Sequence, residues 1–210
     1  MKDYNSHLTE RDQKVDGIGP WMWIGQDHGA WDGPSHDWTN HLKAYRGACK
    51  NYDTVVCAGG NQGMYPRLFS EFFKVVYTFE PDPLNFHCLV NNCQKDNIVK
   101  INAALGETSS MCVVKRAELT NTGMHTVDVR ADAFIPMFTI DMLALSSCDL
   151  IQLDIEGYEI HALRGALNTI NKFHPVIACE RGNQDIEQLL SRYGYVVSAT
   201  SHADTIYHVP

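Results

Sequence analysis

From about residue 50 onward the sequence repeats one pattern: a short, wholly apolar run, a break of glycine, proline or acid, then a stretch with helical spacing. Thr54 to Ala58 (TVVCA) runs into Gly59-Gly60-Asn61-Gln62-Gly63, followed by helical spacing through Leu68, Phe69, Phe72 and Phe73. Val75 to Glu80 (VVYTFE) stops at Pro81-Asp82-Pro83, and Phe86, Leu89 and Val90 mark a second helix ending near Cys93. Ile98 to Ala103, Asp149 to Ile155 and Val176 to Glu180 are further apolar runs; the last two lead into helices through Leu163 and Leu167 and over Asp185 to Tyr193. Strands without a polar face, each separated from the next by a helix, predict a parallel sheet covered on both sides. The segments Tyr195 to Ser198 and Thr205 to Val209, joined by polar residues, predict an antiparallel pair closing one edge. Between residues 104 and 140 the signal is weaker, with Met111 to Val114 and Thr126 to Val129 predicting an inserted hairpin around Asn121-Thr122-Gly123.

The first 49 residues have another character. All four tryptophans (Trp21, Trp23, Trp31, Trp38) fall there, among Gly, Pro, Asp and His. The segment is too polar for its own core and too aromatic for a free tail, so it is expected to pack over the active site of a domain spanning 50–210. A chain of 210 residues that is 44% hydrophobic and 20% charged buries a full core, excluding a disordered, collagen-like or disulfide-stapled protein. Its net charge of −8 weighs against a nucleic-acid partner. Seven cysteines, without a Cys-x-x-Cys pair and partly inside apolar runs, argue against a thiolate zinc site and for a reducing compartment. The polar start Met1-Lys2-Asp3-Tyr4-Asn5 leads no apolar stretch, and no window approaches the roughly 18 to 20 apolar residues that span a bilayer. The expectation is a cytoplasmic protein without a membrane segment.

In an open α/β sheet the ligand binds beyond the carboxyl ends of the strands, where strand order reverses. The glycines at 59, 60 and 63 let backbone approach a ligand closely, and the helix behind them points free N–H groups the same way. Glu80 ends the second run, 17 residues past Gly63, where a carboxylate can accept both hydroxyls of a ribose. A solvated strand-end acid is the alternative. Together the two signals point to a nucleoside-containing cofactor. The glycine spacing is not the dinucleotide G-x-G-x-x-G, which weighs against an NAD-dependent oxidoreductase, and no P-loop follows a strand. Asp154 and Glu156 alternate along one strand, with Glu180 ending the next. Three such acids can bind a hard cation, act as general base, or pair with Arg164 and Arg181.

Taken in order, VVCAGGNQG (55–63), FEPDP (79–83), NAALG (102–106), DLIQLDIEG (149–157), LRGA (163–166) and the run from Pro175 to Glu180 resemble the FkbM family of S-adenosylmethionine-dependent methyltransferases. The resemblance covers about residues 50 to 210. It implies the Rossmann-like class I methyltransferase fold, a seven-stranded, mostly parallel sheet with an antiparallel C-terminal strand. It further implies that Ala58, Gly59, Gly60, Asn61 and Gly63 wrap the methionine end of S-adenosyl-L-methionine, that Glu80 and Pro81 lie at the ribose, and that Asn102 and Ala103 lie by the adenine. Asp154 would stand where cofactor and acceptor meet. The family has Asp where this chain has Cys57, and Ala where it has Gly60; that Asp helps fix the cofactor's amino end, a bond that Cys57 cannot replace.

The reading adopted is methyl transfer to a hydroxyl of a sugar or other small molecule, with Asp154, Glu156 and His28 as candidate bases in that order and no metal assigned. Asp27, His28 and His36 beside Trp31 are where acceptor specificity is expected, against the plainer role of aromatic docking. Rival readings are a cofactor-binding protein without turnover, an NAD-dependent oxidoreductase, and a nucleic-acid methyltransferase. The last is opposed by charge and by the missing Asn/Asp-Pro-Pro-Tyr/Phe motif.

Overall fold

A computed structural model describes residues 8–12, 18–28, 38–116, 120–130, 132–201 and 203–210, with side chains in the first helix described from residue 42. In chain order, β1 (Leu8–Arg11) pairs antiparallel with β2 (Trp21–Ile24), and α1 (Trp38–Ala48) leads into β3 (Thr54–Ala58). The alternation follows: α2 (Met64–Phe69), β4 (Val75–Phe79), α3 (Pro83–Asn92), β5 (Ile98–Ile101). Next come β6 (Ala104–Leu105), β7 (Ser110–Lys115), β8 (Thr126–Val129) and β9 (Ile135–Phe138). Then β10 (Leu150–Leu153), α4 (Glu159–Arg164), α5 (Leu167–Phe173), β11 (Val176–Glu180), α6 (Gln184–Ser191), β12 (Val196–Ser201) and β13 (Asp204–His208) complete the chain.

The main sheet has seven strands in the order β12-β13-β11-β10-β3-β4-β5. Only β13 runs antiparallel to its neighbours, as the apolar runs and the terminal pair predicted. Strand order reverses between β3 and β10, which makes that junction the switch point. Alternation along β3 feeds both faces: Val55 and Cys57 join a cluster with α1, α2 and Leu89 of α3, while Val56 and Ala58 join one with α4, α5 and α6. Among the described residues no helix is long and apolar enough to cross a membrane.

Four differences from the sequence reading have local causes. The helix after Gly63 ends at Phe69, because the N–H groups of Glu71 and Phe72 turn back to Leu68 and Phe69. This tight turn sets Phe72 and Phe73 edge-on against Tyr52, at 5.7 and 5.6 Å between ring centroids. The helix after β10 breaks at Gly165, where a Cβ would lie 2.0 Å from the carbonyl oxygen of Gly106. The strand from Ile98 stops at Ile101. The inserted hairpin, β7 with β8, is half of a four-stranded sheet ordered β6-β9-β7-β8; β6 has two residues and β9 holds Pro136, which masks a strand signal.

Candidate active site

The backbone leaves β3 at Ala58 and turns sharply. Gly59 has φ +80, and a Cβ there would stand 1.8 Å from the carbonyl oxygen of Asp154, so glycine alone allows the loop and the end of β10 to meet. The N–H groups of Gly59 and Gly60 both donate to the Phe79 carbonyl, at 3.1 and 2.9 Å, which ties the turn to the end of β4. Asn61 donates its N–H to Oε2 of Glu80 at 2.7 Å, and Asp82 donates to Oε1 at 2.8 Å. Glu80 is 4% exposed, and burial pushes its carboxyl up to about 8 against the pull of those two donors.

Above this floor lies a cavity of about 260 Å³. Ala58, Gly59, Gly60 and Asn61 line its base, Glu80, Pro81 and Ala103 one side, and Asp154 and Glu156 the other. Gly63 and Asn102, expected at the cofactor, are not among the lining residues. Gly63, at φ +96, starts α2, and Asn102 turns its amide back to the carbonyls of Glu80 and Pro81 (2.8 and 3.2 Å), bracing the strand end. His28 is exposed and outside the cavity wall; its N–H donates to the Thr120 carbonyl at 2.9 Å. Trp31 and His36 lie outside the described residues. Cys57 points into the core, fully buried, with its thiol donating to Oε1 of Gln152 at 2.9 Å. Cys57, where the resemblance sets Asp, therefore faces β10 and is absent from the cavity wall.

The acids meet by a different route from strand alternation. Strand β10 ends at Leu153, and a turn through Glu156 (φ +54) and Gly157 (φ +91) follows. Buried Glu159 stabilises the turn by accepting the N–H groups of Ile155 (3.1 Å) and Gly157 (3.2 Å). The register that pairs Leu153 with Cys179 sets Asp154 beside Glu180. Carboxylate oxygens of Asp154, Glu156 and Glu180 lie within 4.8 Å of one another. Arg181 approaches Glu156 (3.7 Å) and Glu180 (3.4 Å), whereas Arg164, expected here, pairs with Glu107 at 3.6 Å. Burial first, then the charge of Glu180, holds the Asp154 carboxyl well above the usual carboxylate range. A carboxylate close to another acid holds its proton more tightly.

Other wall residues were not among the expected site residues. Trp23 of β2 and Tyr65 of α2 reach the cavity, as do Asn85, Thr122 and His125. Asp27 is 1% exposed, and its Oδ2 accepts from Gln62 Nε2 and from Thr122 Oγ1 (2.5 and 2.7 Å). One carboxylate thus ties the first segment, the glycine turn and the β7–β8 connection together. No periodicity or motif marks such a tie; Asp27, expected at the acceptor, instead braces the site from behind its lining.

A sequence profile of the methyltransferase FkbM domain matches residues 58–197. The hexuronic acid methyltransferase AglP of Haloferax volcanii is 24% identical over 148 residues, 66% of this chain and 62% of its own length. Among solved structures, methyltransferase FkbM from Methylobacillus flagellatus aligns with 20% identity and a TM-score of 0.51, over 79% of this chain and 49% of that one. Precorrin-6y C5,15-methyltransferase from Geobacter metallireducens aligns with 11% identity and a TM-score of 0.52, over 87% and 92%. Both structures share the fold. The chain spans about half to two thirds of the length of the first two relatives.

Proposed function

Because the chain belongs to the FkbM family of S-adenosylmethionine-dependent methyltransferases, we propose that it methylates a hydroxyl of a sugar or other small metabolite. The observation that carries this reading is the junction of Gly59 with Asp154, with Glu80 at the other end of the same cavity. The residues present fit the donor. A buried carboxylate stands at the end of β4, the buried Oδ1 of Asn61 beside it lacks a hydrogen-bond donor, and Phe79, Ala103 and Leu105 offer apolar wall for a flat base. Ala58 to Asn61 would hold the methionine end, Glu80 and Pro81 the ribose, and Ala103 the adenine. When bound, the donor supplies an electrophilic sulfonium methyl group.

The chain's own residues supply position and a proton acceptor. Trp23, Tyr65 and Tyr158 give the acceptor end aromatic walls, suited to the apolar face of a sugar ring, and confinement of the acceptor oxygen supplies much of the rate. The hydroxyl must lose its proton as its oxygen gains the methyl. Asp154 is the base in this reading. The charge of its neighbour Glu180 raises the proton affinity of Asp154 further, which makes that carboxylate a stronger proton acceptor. Glu156, drawn toward Arg181, is the second candidate. The hexuronic acid in the name of the Haloferax relative supports a sugar acceptor.

Asp154→Asn tests the assignment. Methyl transfer to a panel of sugars is expected to fall about 100-fold or more, the contribution of a positioned base, while S-adenosylhomocysteine affinity stays within about threefold. Wild-type turnover in the variant would end the role of Asp154. Activity lost to a chelator and restored by a divalent ion would make the three acids a metal site. S-adenosylhomocysteine binding with no sugar accepted would leave a binding protein, and a thermal shift with NAD alone would leave an oxidoreductase.

A further inference from the structure

In the cavity that Glu80 lines, three side chains have buried polar atoms without a hydrogen-bond partner among the described residues. His125, at the end of the turn before β8, has a side chain 6% exposed, and neither ring nitrogen has a hydrogen-bond partner. Asn85 on α3 is 1% exposed; its Nδ2 donates to the Thr122 carbonyl at 3.2 Å, and its Oδ1 receives nothing. Oδ1 of Asn61 is likewise without a donor. All three residues line the cavity. Buried polar groups are nearly always paired, so a group of orphans in one cavity marks partners that arrive from outside the chain.

Asp82 fixes where His125 stands. Its Oδ1 caps α3 through the N–H groups of Leu84 (2.7 Å) and Asn85 (3.3 Å), and its Oδ2 takes Arg116 Nε at 2.5 Å. The His125 Nδ1 lies 3.5 Å from that Oδ2 without bonding to it, and the Asp82 N–H is the one on Glu80. Asp82 thus touches both residues, His125 through its side chain and Glu80 through its backbone, and both line the same cavity.

We propose that His125 is a donor-binding residue, its imidazole bonding the ribose diol that Glu80 takes from the other side. This rests on the reading of Glu80 given above. Burial lowers the imidazole's proton affinity, and Arg116 adds to this against the pull of Asp82 and Asp27. A neutral ring offers one N–H and one lone pair, which a vicinal diol can match. The amide oxygens of Asn61 and Asn85 face the same occupant as acceptors.

The test is calorimetric titration of the full chain with S-adenosylhomocysteine and its 2′-deoxy analogue. His125→Phe keeps a flat ring and removes both nitrogens; His125→Leu is the second variant should the first misfold. Affinity for S-adenosylhomocysteine is expected to fall about three- to tenfold, the value of one hydrogen bond. Preference for ribose over deoxyribose should shrink by a similar factor. The ligand-free melting temperature should hold or rise, because unpaired buried nitrogens have been removed. A merely structural His125 would give the reverse, a lower melting temperature with ribose preference unchanged, and that result overturns the proposal. If the wild type binds and Glu80→Ala does not, while both His125 variants match the wild type, this inference alone fails. If the wild type binds no S-adenosylhomocysteine, the reading of Glu80 fails with it.

Discussion

At Glu80 two costs oppose each other. Ionised, the carboxylate satisfies the N–H groups of Asn61 and Asp82 but loses its hydration; protonated, it escapes that loss and weakens both bonds. In the ligand-free protein burial prevails, and the group titrates at about 8 in place of 4.5. Between those values the folded protein holds a proton that the unfolded chain has released. Stability from this group is therefore greatest below 4.5 and is lost as pH rises toward 8, with a slope of up to about 1.4 kcal/mol per pH unit. Asp154 and Glu156 are raised as well and slope the same way, so the informative quantity is the difference between wild type and Glu80→Gln. Urea denaturation from pH 5 to 8 should show a shallower decline in the variant. Parallel curves would place the Glu80 proton elsewhere. Hydroxyl donors from a ribose favour the ionised form, so S-adenosylhomocysteine binding near pH 7 should release a proton in the wild type and none in Glu80→Gln.

Element by element, legibility followed the strength of the local pattern. The apolar runs of β3, β4, β10 and β11 were plain because a covered parallel strand has no polar face to interrupt them. Helix α1 is weakly marked: Leu42, Tyr45 and, just past its end, Cys49 recur at spacings of three and four and are buried, but the polar residues between them blur the pattern. Strand alternation does not account for the meeting of the acids at 154 and 156, since β10 ends before them, and it is a left-handed turn held by Glu159 that brings Glu156 in. Gly60 shows how one element limits another. Where the resemblance sets alanine, a Cβ would stand 2.4 Å from Thr78 Oγ1 and 2.6 Å from Leu89 Cδ1, so β4 and α3 have closed over the glycine turn. Gly60→Ala is expected to cost about 1 to 3 kcal/mol by overpacking. Among the described residues Thr78 Oγ1 has no hydrogen-bond partner to lose, so Gly60→Ala with Thr78→Ala should be more stable than the two single losses summed. Simple additivity in urea denaturation would mean that Leu89 sets the limit.

Across the whole molecule, the division that sequence character draws near residue 50 does not divide the core. Trp21, Trp23, Leu42 and Tyr45 are buried in one cluster with Phe69, Val76 and Ile206. The free edge of β2 is completed by a side chain: Asn92 of α3 accepts the Met22 N–H at 2.7 Å and donates to the Met22 carbonyl at 2.8 Å, as a neighbouring strand would. Arg67 of α2 lies 4.5 Å over the Trp21 ring and donates to the Pro20 carbonyl at 2.7 Å. Such ties are invisible in sequence because they join positions 46 to 70 residues apart through single polar side chains. They lead to a prediction about cooperativity. If the first segment and the sheet share one core, thermal unfolding is a single transition, with calorimetric and van't Hoff enthalpies equal. Trp21 has no exposed surface, and Trp21→Ala removes a whole indole from that core, for which about 3 to 5 kcal/mol is the expected loss. The loss should appear as a downward shift of the one transition, followed equally by far-ultraviolet circular dichroism, which reports the helices on both faces, and by near-ultraviolet signals from the aromatic cluster. A first, smaller step that moves with Trp21→Ala, while the main transition stays in place, would instead make the tryptophan-rich segment a separately folded cover and uncouple it from the sheet on which the active site is built.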